Sequence, residues 1–314
     1  MNSLSSRSEA SLSSSVSKDS ELAVSIVICT RSRPGYLRKC LEAVAQLTPA
    51  ADEVLVVDNT DGDAQTELIA HEFGARYTIE KMPGLSRARN RGIAESRCDI
   101  VAYLDDDAAP EIHWLGFLRE PFSDLNIAAV TGRLLIPDSD TKSNLLLPRR
   151  LSNKDPMWFE IAAFGGLGLG SNMAVRKSAA DGRVIFEERL GRGAPFQIAE
   201  EHYALACFVS WGYTVVYVPE AIVFHPPRRR RDVEQEARNS IAYSWLLFFE
   251  FPDHRLDLLR FLIRRMRGQR LTWPRDTQEP GEIVTSGWRV LLKAALSATW
   301  LFLRTKRPRR PMSS

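Results

Sequence analysis

Long hydrophobic runs are missing from this chain. The C-terminal one, residues 294–303, has ten residues, about half of what a helix needs to cross a bilayer. Trp288 and Trp300 stand near its ends and arginines flank it. Such a run either lies in a membrane interface or packs against the rest of the protein. Cysteine is sparse: Cys29, Cys40, Cys98 and Cys207 form no CxxC pair, which argues against a zinc site. Buried free thiols in a reducing compartment are the reading that remains. Residues 3–20 are mostly Ser with scattered Leu and Val. They hold too little apolar surface to offset the entropy of ordering and have no apolar core of a secretory signal, so disorder is expected. Glycine is scarce where a nucleotidyltransferase would need it: the turn Thr30-Arg31-Ser32-Arg33-Pro34-Gly35 has one. No internal repeat is visible.

What is present suits one sizeable α/β domain with extensions. The chain has 314 residues, 44% of them apolar, an ordinary globular share. A net charge of +3 conceals an asymmetry. Residues 228–314 carry 19 Lys+Arg against 9 Asp+Glu, and residues 1–227 carry 23 against 30. A basic tail on an acidic body fits anionic lipid or nucleic acid. It lacks the interleaved aromatics of a single-strand-binding platform.

Residues 24–29 and 53–57 are β-branched runs that read as buried strands. Between them Pro34 suits a first helical turn, and Tyr36, Leu37, Cys40, Leu41, Val44 and Leu47 repeat at helical spacing. A helix is expected around residues 64–73, a strand at 75–79, a helix at 85–97 and a strand at 99–104. Further strands are expected at 128–136, 172–175, 214–218 and 221–224, with a polar loop to about residue 156. A helix at 200–211, capped by Gly212, precedes the last two of these. Residues 165–170, Gly-Gly-Leu-Gly-Leu-Gly, read as a flexible segment. Helices at 233–251, 255–267 and 282–304 complete the chain. Alternation of strand and helix implies a mostly parallel sheet, with ligands at the carboxyl ends of the strands.

The loops after residues 29, 57 and 104 would lie on that edge, and three constellations carry candidate chemistry. Asp105, Asp106 and Asp107 follow the strand at 99–104; side by side they repel one another, and a hard divalent cation or plain solvation resolves that. Glu200 and Glu201 open a helix, where acids complement the dipole or serve as a general base. Arg87, Arg89 and Arg91 alternate along another helix, as diphosphate ligands or a solvated face. His225, after the last strand, is either structural or a further metal ligand.

In order, these segments resemble the family-two glycosyltransferases with the GT-A fold. The likeness runs through Val24-Ser-Ile-Val-Ile-Cys-Thr-Arg-Ser-Arg-Pro34, Val56-Val57-Asp58-Asn59, Ala88-Arg89-Asn90-Arg91-Gly92 and the Asp-x-Asp of Asp105–Asp107. It continues through Gly170-Ser171-Asn172-Met173-Ala174, Glu200-Glu201 before Gly212-Tyr213, and Val218 to His225. Residues 1–21 would then be a disordered Ser-rich N-terminus, 22–227 the GT-A domain and 228–314 a basic helical extension. The resemblance implies an inverting enzyme that moves a sugar from a nucleotide-diphosphate donor, a UDP-sugar in most relatives, to an acceptor hydroxyl. Thr30, Arg31 and Asp58 would hold base and ribose, and Arg89, Asp105 and Asp106 would also face the donor. Asp105, Asp107 and His225 would bind Mn2+ or Mg2+, with Asp107 the direct ligand of the pair. Glu201 falls where the family has its catalytic Asp, and Glu200 is the other candidate base. The acceptor would be a carbohydrate, lipid-linked or small molecule in polysaccharide, glycolipid or secondary-metabolite assembly. The setting implied is cytoplasmic, with peripheral contact to the inner membrane face through the tail and no specific nucleic acid. A contrasting reading is an inactive transferase-like domain that binds membrane or nucleic acid through that tail.

Overall fold

The computed structural model describes residues 22–136, 149–227 and 232–267, with residues 296, 297, 299, 300 and 302–305 beyond them. The Ser-rich N-terminal stretch and most of the helix expected at 282–304 lie outside the described residues. Along the chain come β1 (Val24–Thr30), α1 (Pro34–Val44), β2 (Glu53–Asp58), α2 (Ala64–Glu72), β3 (Arg76–Ile79) and α3 (Leu85–Glu95). Next are β4 (Ile100–Asp105), β5 (Ala109–Pro110), α4 (Trp114–Arg119), β6 (Ile127–Leu135), β7 (Arg149–Leu151) and α5 (Trp158–Ala163). The rest is β8 (Asn172–Arg176), α6 (Glu200–Ser210), β9 (Thr214–Phe224), α7 (Val233–Glu250) and α8 (Arg255–Met266).

Local chemistry explains the elements. Pro34 starts α1 with a preset φ, and Leu37, Cys40, Leu41 and Val44 put one buried stripe on the sheet. The side chains of Asp63 and Asp232 accept the Gln65 and Gln235 amides and cap α2 and α7. Gly92 lets α3 lie against β1, since a Cβ there would fall 2.5 Å from a Val27 methyl.

One nine-stranded sheet runs β3-β2-β1-β4-β8-β6-β9-β5, and β7 also pairs with β9. β1 is parallel to β2 and β4, and β2 to β3. The chain leaves β1 toward β2 and returns on its other side as β4, so their carboxyl ends frame a topological switch point, the usual crevice for a ligand. Parallel pairing returns between β6 and β9. β8 is antiparallel to β4 and β6, while β5 and β7 are antiparallel to β9. The α/β class expected from the resemblance is the one observed, with these antiparallel strands added in the second half.

Two expectations need correction. The strands expected at 214–218 and 221–224 are one strand, β9. β6 pairs along its whole length, and a bulge between the Gly132–Val218 and Arg133–Ile222 pairs absorbs the extra residues. Residues 165–170 are a packed link rather than a flexible one. Gly166, Leu167, Gly168, Leu169 and Gly170 are all buried. The glycines there answer to close approach: Gly168 has φ +83°, and a Cβ would lie 3.2 Å from the Gly132 carbonyl.

Candidate active site

The residue after β9 meets the loop after β4 because β5, two residues past Asp107, pairs Ala109 with Phe224. His225 is buried there, its amide bonded to the Leu135 carbonyl. The three aspartates diverge. Asp105 and Asp107 face His225 Nε2 at 3.6 and 3.2 Å. Asp106 turns inward, accepting from Thr30 Oγ1 at 2.7 Å and pairing with Arg33 at 2.8 Å. His225 Nδ1 lies 2.7 Å from the Pro226 carbonyl. A proton on Nδ1 there leaves Nε2 as the coordinating nitrogen of a neutral ring. One ligand atom each from Asp105, Asp107 and His225 lie within 4.8 Å of one another.

Charges in this cluster are strongly biased. Burial opposes ionisation of Asp107, but hydrogen bonds from His225 and Arg33 outweigh it and hold the carboxyl well below its usual range. Asp105 is lowered too, burial being outweighed by His225 and Arg89. Asp106 moves the other way: burial, reinforced by Asp107 and Asp105, lifts it to about 6 despite Thr30 and Arg33. Burial disfavours charge on His225, yet its bonds to Asp105 and Asp107 raise it to about 9. Without a cation, an imidazolium and a guanidinium neutralise the carboxylates. Two hard oxygens and an imidazole nitrogen form a donor set that fits Mn2+ or Mg2+.

Arg89 joins this cluster to α6. It is buried; its guanidinium lies 3.1 Å from Glu200, 3.6 Å from Asp105 and donates to the Gly170 carbonyl at 3.0 Å. It also rests over the rings of Tyr103 and Phe186, at 5.6 and 5.4 Å. Arg87 and Arg91 are surface residues, paired with Glu188 and Glu95. Of the alternating arginines, only the middle one enters the site. Glu200 and Glu201 are both buried at the start of α6. Ala199 before them has φ 63°, a left-handed conformation costly for a residue with a Cβ and frequent at functional sites. Burial and Glu201 lift Glu200 to about 7 against the pull of Arg89. Glu201 sits against the residue 165–170 link, where a Cβ on Gly170 would come within 3.0 Å of its own.

Arg31 follows β1, one strand from β4, and Asp58 ends β2, two strands from it. Arg31 donates to the Asn59 carbonyl at 2.8 Å. Asp58 is fully buried, accepting from Thr60, the Asp63 amide and Tyr77, so it shapes the loop after β2. Three residues without an expected role organise the site. Arg33 bridges Asp106 and Asp107, at 2.8 and 2.6 Å. Asn59 ties β2 to the turn before α3 through the carbonyls of Glu80 and Met82 and the Gly84 amide. Asn172 accepts from Trp114 Nε1 at 2.7 Å and donates to the Arg133 and Ala221 carbonyls. Both asparagines stand in the motifs quoted above; their partners, far along the chain, carry no sequence signal.

Comparison with known proteins agrees with this geometry. The family described as glycosyl transferase family 2 matches residues 25–182. The glycosyltransferase AglE of Haloferax volcanii is 37% identical over 100 residues, 29% of this chain and 33% of that protein. The probable glycosyltransferase YdaM of Bacillus subtilis is 27% identical over 64% of this chain and 50% of its own. The chain thus spans half or less of the length of these two relatives. Among solved structures, TarS residues 1–349 of S. aureus, in complex with UDP-GlcNAc, has a TM-score of 0.61 at 13% identity, covering 90% of this chain and 82% of that one. The mannosyltransferase PcManGT of Pyrobaculum calidifontis, in complex with GDP-Man and Mn2+, has a TM-score of 0.55 at 14% identity, covering 91% and 76%. Both likenesses bear on the fold alone.

Proposed function

The chain belongs to glycosyl transferase family 2, and from that premise we propose that it transfers a sugar from a nucleotide-diphosphate donor to an acceptor hydroxyl with inversion. The observation that carries the reading is the convergence of Asp105, Asp107 and His225, joined to Glu200 through Arg89. Asp105, Asp107 and His225 would hold Mn2+ or Mg2+. Such an ion, when bound, supplies Lewis-acid stabilisation of a leaving diphosphate. The two solved neighbours carry nucleotide sugars on the same fold, one of them with Mn2+.

The remaining work falls to the chain's own side chains. Glu201, which stands where the family has its catalytic Asp, is the general base that takes the acceptor proton, while Glu200 pairs with Arg89. The oxygen then attacks the anomeric carbon from the face opposite the nucleotide. Arg89, fixed by two carboxylates, a carbonyl and two aromatic rings, is a preorganised positive charge beside the leaving group and needs no rearrangement during the step. Thr30 orients Asp106, and Arg31 and Asp58 shape the nucleotide side of the crevice at the ends of β1 and β2. A UDP-sugar is the expected donor, and a carbohydrate, lipid-linked or small molecule the acceptor.

Calorimetric titration of UDP, GDP and dTDP, with and without Mn2+, on wild type and Asp107→Ala tests this. Metal-dependent binding of one nucleotide, weakened in the variant, supports the reading. A folded wild type that binds none of them overturns it in favour of an inactive module. A product with retained configuration overturns the inverting step alone.

Peripheral membrane contact is proposed for the C-terminal helices. On α8, Leu256, Leu259 and Ile263 are 65%, 45% and 42% exposed on a helix that also carries Arg255, Arg260 and Arg264. Exposed apolar residues among arginines suit an anionic interface. Among the described residues, no helix is long and apolar enough to cross a membrane. Flotation with phosphatidylglycerol vesicles should be salt-sensitive and weakened by Leu256→Ser with Ile263→Ser; flotation unchanged by that pair argues against α8 as the contact.

A further inference from the structure

Arg33 occupies an unusual place for a surface arginine. Its guanidinium spans two of the three aspartates, 2.8 Å from Asp106 and 2.6 Å from Asp107. It lies 4.4 Å over the ring of Tyr36. About a third of its side chain is exposed, against 5% and 11% for the two carboxylates. The backbone delivers it there through Ser32, whose φ of 53° turns the chain sharply between β1 and α1.

The two arms of this fork have different partners. Asp106 also accepts from Thr30 and points away from His225, so it anchors Arg33 without taking part in the candidate metal set. Asp107 belongs to that set, and its other oxygen faces His225. A divalent ion on Asp107 would stand next to the guanidinium on one carboxylate, and like charges at that range oppose each other. An added diphosphate removes the conflict: it ligates the ion and accepts from the arginine. The open side of Arg33 gives it room to swing, and Asp106 and the Tyr36 ring keep it within reach.

We infer that Arg33 couples metal binding to donor binding: it holds Asp107 in the metal-free protein and passes that arm to the donor diphosphate when the metal takes Asp107. The coupling rests on the metal site proposed above. Its consequence is that the metal alone binds weakly and diphosphate strengthens it, and by reciprocity the metal strengthens diphosphate binding by the same factor. A protein built this way does not hold its metal firmly between donors.

Free Mn2+ measured by electron paramagnetic resonance, with and without UDP, GDP or dTDP, tests the coupling on wild type, Arg33→Ala and Arg33→Lys. In wild type the matching nucleotide should tighten Mn2+ by about tenfold or more, within the roughly 5- to 150-fold common for coupled sites. Arg33→Ala should bind Mn2+ alone several-fold tighter than wild type, and the gain from nucleotide should shrink to about threefold or less. A residue that merely supports the loop cannot produce tighter binding on removal. Arg33→Lys keeps one charge and should keep most of the coupling, which guards against a misfolded alanine variant. Mn2+ binding by Arg33→Ala that is unchanged or weaker, with the nucleotide gain intact, overturns the coupling and leaves the metal site standing. No Mn2+ retained by either protein with any nucleotide overturns the metal site itself, and the coupling with it.

Discussion

Glu200 and Glu201 are adjacent, equally buried and chemically alike, yet their surroundings separate them. Arg89 meets Glu200 at 3.1 Å, and burial with Glu201 as neighbour raises Glu200 to about 7. Glu201, about 100° further round the helix, is the proposed base. Glu201→Gln should therefore lower kcat about 10²- to 10⁴-fold while nucleotide affinity, measured by titration, stays within twofold; an equal loss of both would place Glu201 in donor binding. Glu200 makes a separate prediction. Burial and Glu201 raise its carboxyl from the ordinary 4.5 to about 7, so between those values the native state holds more protons. Its contribution to stability is present in full below pH 4.5 and declines as pH rises to 7. Thermal denaturation of Glu200→Gln across that window should show a flatter fall of Tm than wild type. Asp106, raised to about 6, acts in the same direction, so some slope should persist. The carboxylates and His225 were legible in the sequence because strand ends announce themselves. Arg33 was not, because its partners Asp106 and Asp107 lie far along the chain and one turn arginine looks like another.

At the scale of elements, the strands of the first half were readable because both sheet faces are covered and β-branched runs have few other uses. α4 and α5, six residues each, are too short for helical periodicity to emerge; they exist because Trp114 and Leu115 are buried against the sheet and Trp158 and Phe159 are buried against His254 and Phe251. The residue 165–170 link was misread for a related reason. Glycine in a sequence signals freedom, whereas here it signals crowding. Gly132 in β6 carries the same lesson further: a Cβ would meet the Ala221 carbonyl at 2.2 Å and the Asn172 amide at 2.6 Å. Neither neighbour can yield, since one is strand backbone and the other is held by Trp114 and two carbonyls. Gly132→Ala should destabilise the fold by about 3 kcal/mol, the upper end for overpacking, as read by urea unfolding. A cost below about 1 kcal/mol would mean that β6 and β9 can move apart, and the bulge would then be a soft point.

At the scale of the molecule, the change in composition at residue 228 separates an acidic body from a basic tail, but the core does not divide there. Ala242, Tyr243, Leu246 and Leu247 of α7, Phe251 after it, and Leu258 and Phe261 of α8 belong to the same buried cluster as β1, β4 and α6. Phe261 stacks on Phe164 at 3.9 Å, His254 stacks on Phe159 at 4.8 Å, and Tyr243 donates to the Ala163 carbonyl. These contacts bear on α5 and the segment after it, which in turn positions Gly165 against His202 and Gly170 against Glu201. α7 and α8 are thus structural on one face, whatever their other face meets. Charge reports the solvent side of a helix and says little about the side that is packed, so composition alone draws a boundary where the core has none. Burying seven such side chains contributes on the order of 10 kcal/mol, comparable to the whole stability of a folded domain. A chain ending at residue 227 should therefore fail to accumulate as soluble protein or melt far below wild type. Adding residues 232–267 in trans as a separate peptide should raise its Tm if the packing seen here is the stabilising one. A soluble, cooperatively folded 22–227 fragment that still binds nucleotide would show that the catalytic sheet stands alone and that α7 and α8 serve the membrane or the acceptor instead.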